Sequence, residues 1–202
     1  MSGERRLDYD VIVGLVEPGA RVLDLGCGDG LLLSRLISEK GARGTGVEIS
    51  QEGVQAAIAR GLSVVHGNLD EGLADYLDGS FDWIILNQTL QSLSKPTLVL
   101  DEMLRVGRQG IVGLPNFGHW RLRLRLLLHG RVPSPPGFPY RWHDSPATRL
   151  LSIADFKAYC AAHGMSIRRE VYLGGQGAVR QARRPNLLAE TGIFVLAGKQ
   201  GR

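Results

Sequence analysis

Residues 22–30 read Val-Leu-Asp-Leu-Gly-Cys-Gly-Asp-Gly, a short apolar run that leads into a glycine-rich turn. The run predicts a buried strand over Arg21–Leu25, and the leucines after the turn predict a helix from about Asp29 to Lys40. Glycine tolerates positive φ angles and lets the backbone approach a ligand closely. The helix N-terminus adds free N–H groups and a partial positive charge, so this strand–turn–helix unit predicts a ligand site.

Strand and helix signals keep alternating beyond this unit, which predicts a parallel sheet covered by helices. The further strands are predicted at residues 44–49, 62–66, 81–86, 110–114, 167–172 and 193–197. The further helices are predicted at residues 9–16, 50–60, 96–104 and 152–163. We therefore predict one α/β domain over residues 1–202, built on a doubly wound, mostly parallel seven-stranded sheet with a Rossmann-like topology.

Residues 115–150 interrupt this alternation of strand and helix signals and contain six of the nine prolines. Long connections in compact domains tend to be functional, so we predict a lid inserted after the fifth strand. Within it, residues 120–129 alternate Trp or Leu with Arg, as in a strand, but end in a leucine run that suits a helix equally well. Gly118 and Gly130 make natural boundaries, and we favour a helix.

The composition excludes several classes of protein. Hydrophobic residues make up 44% and charged residues 22% of the 202 residues, which is usual for a soluble protein with a packed core. No apolar run reaches the roughly 18 residues of a membrane span, and no apolar signal region follows the first residues. Two cysteines exclude a disulfide scaffold, and no His and carboxylate cluster has metal-ligand spacing. We expect a cytoplasmic protein without membrane contact or metal.

Charge is divided unevenly along the chain. Residues 1–110 carry 10 Lys and Arg against 16 Asp and Glu, whereas residues 111–202 carry 14 against 4. The basic half, and Arg121, Arg123 and Arg125 in particular, suits an acidic partner surface or an anionic substrate; the alternative is a merely solvated face. No aromatic stacking pattern accompanies these arginines, so we expect no nucleic acid.

The spacing of the glycines narrows the choice of ligand. A dinucleotide fingerprint needs glycine at the first, third and sixth positions, but counting from Gly26 the sixth position is Leu31. A phosphate-binding loop ending in Gly-Lys-Ser/Thr is also absent from the sequence. The spacing found is Gly26, Gly28 and Gly30, with Asp24 before the first glycine, and it disfavours a pyrophosphate ligand.

Residues 24–30 resemble the first motif of class I S-adenosylmethionine-dependent methyltransferases. The resemblance implies that the turn wraps the methionine part of S-adenosylmethionine, or of its product S-adenosylhomocysteine, with Asp24 near the ammonium group. It implies that Glu48 binds both ribose hydroxyls, and that Asn68 stands where an acidic residue usually contacts the adenine, with Asp70 as a substitute. The implied cofactor residues are Asp24, Gly26, Cys27, Gly28, Gly30, Glu48, Ile49, Asn68, Leu69 and Asn87.

Residues 87–91 read Asn-Gln-Thr-Leu-Gln, residues 115–120 Pro-Asn-Phe-Gly-His-Trp and residues 185–190 Pro-Asn-Leu-Leu-Ala-Glu. These stretches, within a similarity from about Leu7 to Leu196, resemble the methionine biosynthesis protein MetW family. That resemblance implies a partnership with homoserine O-acyltransferase, and it leaves open whether the protein methylates anything.

Catalytic groups are sparse in the sequence. Methyl transfer needs little beyond positioning and sometimes a base. His119, at the start of the predicted lid, is the candidate base, although a packed structural histidine is the favoured alternative. Cys27 and Cys160 are interpreted as small fillers. The predicted substrate or partner residues are Gln88, Gln91, Asn116, His119, Trp120, Arg121, Arg125 and Tyr140.

Two functions remain open at this point. In the first, the protein binds S-adenosylmethionine and supports or regulates homoserine O-acyltransferase in methionine biosynthesis. In the second, it is an S-adenosylmethionine-dependent methyltransferase that acts on a small molecule beneath the predicted lid.

Overall fold

The computed structural model describes residues 6–131, 149–174 and 183–197. Within these ranges seven strands form one sheet: β1 Arg21–Leu25, β2 Arg43–Glu48, β3 Ser63–His66, β4 Phe81–Asn87, β5 Gly107–Pro115, β6 Ile167–Leu173 and β7 Thr191–Ala197. Their order across the sheet is β3-β2-β1-β4-β5-β7-β6. The first five strands pair in parallel, and β7 pairs antiparallel with both β5 and β6. The predicted doubly wound, mostly parallel sheet is confirmed.

Seven helices accompany the sheet in the described ranges: α1 Leu7–Leu15, α2 Leu31–Lys40, α3 Gln51–Ala59, α4 Pro96–Val106, α5 Trp120–His129, α6 Ile153–Ala162 and α7 Pro185–Leu188. Two short 3₁₀ turns lie at Leu69–Glu71 and Leu90–Ser92. Side chains at the N-caps fix several helix starts: Ser50 accepts from the backbone of Gly53, and Ser152 forms a reciprocal capping box with Asp155.

The two faces of the sheet bury separate hydrophobic layers. Because side chains alternate along a strand, Leu23 and Ile84 point to the layer that packs on α4 and α6. Val22 and Ile85 point to the opposite layer, which packs on α1 and α2. The same alternation places Asp24 and Asn87, at the carboxyl ends of β1 and β4, on the α1 face of the sheet.

Residues 120–129 form helix α5, as favoured from the flanking glycines. Gly130 follows it in the left-handed conformation with φ of 62°, which a glycine adopts without strain. The remainder of the predicted lid, residues 132–148, lies outside the described residues. None of the helices in the described ranges combines the length and apolar character needed to cross a bilayer.

Candidate functional site

The glycine-rich turn lies where the direction of sheet building reverses. From β1 the chain adds β2 and β3 on one side and later β4 and β5 on the other. Open α/β sheets bind ligands at this switch point, beyond the carboxyl ends of the strands. Residues 26–30 connect β1 to α2 there. The topology therefore places the glycine-rich turn at the position where such sheets bind a ligand.

Three glycines of the turn have positive φ angles, 74° at Gly26, 55° at Gly28 and 75° at Gly30. A Cβ atom at Gly26 would lie 2.5 Å from Thr89 Oγ1, and one at Gly30 would collide with Leu62. These two glycines are therefore needed for packing as well as for their backbone angles. A Cβ at Gly28 would meet nothing within 4 Å, so the middle of the turn borders open space that a ligand can occupy.

Four of the five backbone donors of residues 26–30, and that of Leu31 after them, are engaged within the chain. The donations are Gly26 N to Val47 O (2.8 Å), Cys27 N to Val47 O (3.2 Å), Gly28 N to Glu48 Oε2 (2.8 Å), Gly30 N to Cys27 O (3.0 Å) and Leu31 N to Asp29 Oδ1 (3.2 Å). A phosphate-binding turn instead offers such N–H groups to the anion. This geometry agrees with the glycine spacing in disfavouring a pyrophosphate ligand.

Glu48 ends β2 beside the turn, and the local fold holds its carboxylate in place. Oε2 accepts from Gly28 N and Oε1 accepts from Ser50 N, both at 2.8 Å. Gly53 makes room for it, because a Cβ there would lie 2.9 Å from Glu48 Cγ. Each carboxylate oxygen keeps further acceptor capacity, so a fixed pair of acceptors is available to two adjacent hydroxyl groups.

Asp24 is buried at the end of β1, one strand away from Glu48. Burial, and then the nearby charge of Glu48, raise the pKa of Asp24 to about 7. A carboxyl group in this position gains from a cation placed beside it. The pair of acids therefore fits a ligand that carries a positive group near Asp24 and hydroxyls near Glu48.

The two cysteines are not set up as nucleophiles. Burial, and then the charges of Asp24 and Glu48, raise the pKa of Cys27 to about 12. Burial raises the pKa of Cys160 to about 11. Both thiols are buried and stay protonated near neutral pH, in agreement with their interpretation as fillers. Within the described ranges no group of three His, Cys, Asp or Glu residues is arranged to hold a metal ion.

The predicted adenine end lies beyond β2 and β3. Ile49 is exposed and Leu69 is buried, so this part of the site has an apolar wall. Asn68 Oδ1 caps the following 3₁₀ turn by accepting from Asp70 N at 3.0 Å. The Asp70 carboxylate, suggested as a substitute, accepts from the backbone of Ser94 (3.0 Å) and Lys95 (2.6 Å) before α4.

At the end of β4 the structure departs from the expectation for Asn87. Its Nδ2 donates to Asp8 Oδ2 at 2.9 Å, and its Oδ1 is buried over Gly113 without a hydrogen-bond partner. The side chain is thus turned toward α1, and its Nδ2 is engaged within the protein. The next residue, Gln88, has a φ of 57°, an uncommon angle for a side-chain-bearing residue and one associated with functional turns.

Gln91 and Asn116 were expected at a substrate or partner surface, and the structure buries both. Gln91 Nε2 donates to Gln88 O at 2.6 Å. Asn116 is fully buried and uses all four of its hydrogen-bond positions: Nδ2 donates to Asn186 O (3.0 Å) and Ala189 O (2.7 Å), and Oδ1 accepts from Gly118 N (3.0 Å) and Ile153 N (3.2 Å). The expectation for Asn116 is corrected: it joins β5, α6 and α7 from inside the protein.

His119 is buried and caps α5, where its Nδ1 accepts from Arg121 N at 3.3 Å. Burial, and then the charge of Arg121, lower its pKa, while Glu190 acts in the opposite direction. The ring is neutral near pH 7, and the nitrogen that acts as acceptor is committed to the helix backbone. This geometry favours the structural alternative over a catalytic base.

Trp120, Arg121 and Arg125 are on the solvent side of α5. Trp120 is 41% exposed, and the Arg121 guanidinium lies 5.4 Å from the centre of its ring. Leu122 is the buried residue of this helix. Tyr140, the last of the predicted substrate or partner residues, lies outside the described residues.

Residues of α1 next to the site were missed by the sequence reasoning. Arg6, the N-cap of α1, pairs with Asp8, which in turn bonds Asn87. The phenol of Tyr9 lies close enough to Asp24 and Asp29 for their charges to contribute to its raised pKa, after burial as the main cause. No local motif marks these residues, since only the packing of α1 on the sheet brings them to the turn.

Comparison with solved structures identifies the class of fold. A chain of the complex between the Haloferax volcanii Trm112 methyltransferase activator and a methyltransferase superposes with a TM-score of 0.72 at 19% identity, covering 96% of this chain and 90% of that one. An S-adenosylmethionine-dependent methyltransferase of Thermotoga maritima gives 0.67 at 19% identity, with 96% and 88% covered. The fold is that of the class I S-adenosylmethionine-dependent methyltransferases.

Comparison of sequences identifies the family. The model of the methionine biosynthesis protein MetW matches residues 6–196, and the chain belongs to this family. The bifunctional methionine biosynthesis protein MetXA/MetW of Rhodopirellula baltica is 37% identical over 199 residues, 93% of this chain and 32% of that protein. A ubiquinone biosynthesis O-methyltransferase of Xanthomonas oryzae pv. oryzae is 37% identical over 110 residues, 52% of this chain and 45% of the enzyme. The chain spans less than half the length of either relative.

Proposed function

We propose that this protein binds S-adenosylmethionine or S-adenosylhomocysteine and acts with homoserine O-acyltransferase, which it supports or regulates, in methionine biosynthesis. The observation that carries the proposal is the bifunctional MetXA/MetW relative, in which a region matching 93% of this chain is part of one longer polypeptide. Fusion of two proteins in one chain is expected where they work together.

The residues at the switch point fit this cofactor. Asp24 offers a buried carboxylate to the ammonium group, and Glu48 offers two fixed oxygens to the ribose hydroxyls. The open space over Gly28 leaves room for the ligand backbone between them. When bound, the cofactor supplies an electrophilic methyl group on a sulfonium centre. Ile49, Asn68 and Leu69 then border the adenine.

Polar residues on the β4 and β5 side are engaged within the protein. Asn116 and His119, predicted at a substrate or partner, bond four backbone groups and the start of α5. Asn87, predicted at the cofactor, bonds Asp8. No catalytic residue is assigned, because none of these groups is presented to an acceptor.

Helix α5 is the surface we assign to the partner. Leu127 is 81% exposed and Leu128 is 65% exposed, although large apolar side chains are normally buried. Arg121, Arg123 and Arg125 alternate with the leucines, and the helix contains no acidic residue. An apolar patch rimmed by arginines is typical of protein interfaces and suits a partner surface with carboxylates around an apolar centre.

A groove with mainly apolar walls and basic residues among its lining lies beside this helix. It has a volume of about 480 Å³ and is lined on its charged side by Arg123, Lys157 and Arg184. Lys157 is paired with Glu170 at 2.7 Å, whereas Arg123 Nε donates to Gly118 O at 2.6 Å. The groove extends the positive surface of α5 toward α6 and α7, in the direction that an acidic partner would contact.

The direct test is co-purification of this protein with the homoserine O-acyltransferase of the same host, followed by an acylation assay with and without S-adenosylmethionine. We expect a stoichiometric complex and acylation that depends on adding this protein. Lack of a complex, together with acylation that is unchanged by the protein, would refute the partnership while leaving cofactor binding intact.

A matched pair of variants tests the assigned surface. Leu127→Ser in combination with Arg125→Glu is expected to weaken the complex at least tenfold, because it removes an apolar contact and reverses a rim charge. Ile58→Ser on α3, another exposed apolar residue, serves as the control and should leave the complex unchanged. Equal binding by both variants would show that the partner binds elsewhere.

The alternative is a methyltransferase that acts on a small molecule, and the ubiquinone biosynthesis O-methyltransferase relative favours it. Transfer of a labelled methyl group from S-adenosylmethionine to a component of a cell extract would support this alternative. The transfer must disappear in the Glu48→Ala variant to be attributed to this protein.

A further inference from the structure

The groove beside α5 is lined by residues of three helices. Arg123 comes from α5, Ile153, Ala154 and Lys157 come from the N-terminal half of α6, and residues 184–187 come from the start of α7. Ile153 also belongs to the hydrophobic core, so the groove reaches an apolar base. Its volume of about 480 Å³ lies within the range of roughly 300–1,000 Å³ that ligand pockets span. The groove is therefore large enough to hold several groups of a ligand.

Hydrogen bonds between distant segments hold the walls of the groove in place. Asn186, at the start of α7, accepts from Ala154 N through its Oδ1 at 3.1 Å. The carbonyl oxygen of Asn186 accepts from Asn116 Nδ2 at 3.0 Å, and Asn116 Oδ1 accepts from Ile153 N at 3.2 Å. These two asparagines tie α6 to α7 and to the end of β5. A groove with walls fixed in this way loses little conformational freedom when it binds a ligand.

The N-terminus of α6 does not supply the charge of the groove. Its first three backbone N–H groups would be free to bind an anion, but all three donate to side chains of this chain. The acceptors are Asn116 Oδ1 at 3.2 Å, Asn186 Oδ1 at 3.1 Å and Ser152 Oγ at 3.2 Å. Attraction for an anion therefore depends on the basic side chains that line the groove.

Two of the three basic side chains in the lining keep their charge available to a ligand. Lys157 is paired with Glu170 at 2.7 Å, so its charge is largely balanced. Arg123 Nε donates to Gly118 O, but its two Nη groups make no hydrogen bond to the described residues. Arg184 is exposed, and its side chain forms neither a hydrogen bond nor an ion pair within the described ranges. Among the described residues that line the groove, none is acidic.

Apolar walls combined with two available guanidinium groups narrow the class of ligand. A peptide segment with carboxylates around an apolar side chain matches both features at once. Nucleic acid matches less well, because the described lining contains no aromatic side chain on which a base could stack. A helix about 10 Å across would fill the volume of about 480 Å³ within about one turn, which favours an extended segment.

We propose that this groove holds a short extended segment of the acyltransferase, whose carboxylates pair with Arg123 and Arg184. An apolar side chain of the segment packs against Ile153 and Leu187. The inference rests on the proposed partnership and adds a second contact to the exposed leucines of α5. Because Arg123 belongs to α5, the two contacts adjoin, and one partner can occupy both. The groove contributes to specificity, since a segment without carboxylates would leave its guanidinium groups unpaired.

The test compares two charge reversals in the full-length protein. Arg184→Glu is expected to weaken the complex with the homoserine O-acyltransferase of the same host at least tenfold, measured by calorimetry, because it repels the carboxylates of the segment. Arg184→Gln removes the charge without reversing it and should give a smaller loss. Arg43→Glu is the matched control: this exposed arginine starts β2, in the other half of the sheet, and the variant should bind normally. Thermal unfolding checks that each variant is folded.

Overlapping fluorescein-labelled peptides that cover the acyltransferase sequence identify the segment. By fluorescence anisotropy, we expect a peptide with Asp or Glu around an apolar residue to bind the wild type and Arg43→Glu. Its affinity for Arg184→Glu should be at least tenfold lower. Replacing the carboxylates of this peptide by amides should weaken its binding to the wild type as well.

Each contrary result has a distinct meaning. Unchanged affinity of the complex in Arg184→Glu would overturn the inference and leave the partnership standing. A weakened complex without any bound peptide would overturn the extended segment, since a folded surface of the partner would then cover the groove. Labelled single-stranded DNA that binds instead of the peptides, and depends on Arg184, would assign the groove to nucleic acid. Wild-type protein that forms no complex would refute the proposed function itself and this inference with it.

Discussion

The two sides of the switch point are built in opposite ways. At the ends of β1 and β2 the chain fixes acceptors, Asp24 and Glu48, beside an open glycine turn. At the ends of β4 and β5 it directs polar side chains into its own interior, as Asn116 and His119 show. Similar residue types thus remain available to a ligand on one side and serve the fold on the other. The difference teaches that a polar motif near a sheet edge predicts a site only if its hydrogen-bond positions remain available.

The largest effect is expected on the interior side, from Asn116→Ala. Removing the side chain takes away four hydrogen bonds in the core, each contributing about 1 kcal/mol, so the free energy of unfolding should fall by about 3–4 kcal/mol. Denaturant titration measures this change. Asn68→Ala, which removes only a half-buried cap, should cost about 1 kcal/mol. Similar losses of unfolding free energy in the two variants would contradict the proposed difference between the interior side and the ligand side.

Glu48→Ala tests the ligand side. Its carboxylate has two acceptors directed at the proposed ribose, so S-adenosylhomocysteine binding should weaken by roughly 1.5–3 kcal/mol, measured by calorimetry. Glu52→Ala, in the first turn of α3, is the control for a nearby acid and should bind normally. Unchanged affinity in Glu48→Ala would contradict the ribose assignment.

Asp24→Asn is expected to have opposite effects on stability and binding. The folded pKa of about 7 lies above the unfolded value near 3.8, so the ligand-free protein loses stability as the pH rises through this window. The variant removes that loss and should be more stable than the wild type at pH 8. It should also bind S-adenosylhomocysteine more weakly.

Thermal unfolding at pH 5 and pH 8, with and without ligand, measures both effects of Asp24→Asn. Wild-type stability that does not change between these pH values would show that Asp24 is not perturbed. A variant that is more stable and also binds tightly would show that no ligand cation lies beside Asp24.

The smallest effect is expected from His119→Ala. Loss of the helix cap should lower the free energy of unfolding by about 1 kcal/mol. If labelled methyl transfer to any extract component is found, its rate should be the same in the variant. If transfer is abolished while stability is unchanged, His119 acts as the catalytic base, and the ends of β4 and β5 belong to the active site.

The glycine turn and the sheet were accessible from sequence because their signals are local. Short apolar runs, glycines at a strand end and helix starts reflect interactions within about ten residues of chain. The cofactor role expected of Glu48 came from the resemblance to class I methyltransferases, and the structure places Glu48 at the end of β2. The resemblance to the MetW family, carried by three short stretches, was confirmed by the family match over residues 6–196.

The expectations for Asn87, Gln91 and Asn116 could not be settled from sequence. The local sequence around an asparagine at a strand end is the same whether its amide binds a ligand or bonds the backbone 70 residues away. The choice depends on which segments pack around it, and for Asn116 these are α6 and α7. The contacts of Asp70 were missed for the same reason, because the helix start that it supports lies more than 20 residues further along the chain.

The sequence by itself determined the order of strands and helices, the glycine turn and the family, because each depends on neighbouring residues and on local backbone preferences. Only the tertiary structure decided which polar groups remain available to a ligand. It also brought Arg6 and Asp8 to the turn and exposed the leucines of α5. These outcomes depend on contacts between segments far apart in the chain, which no local pattern records.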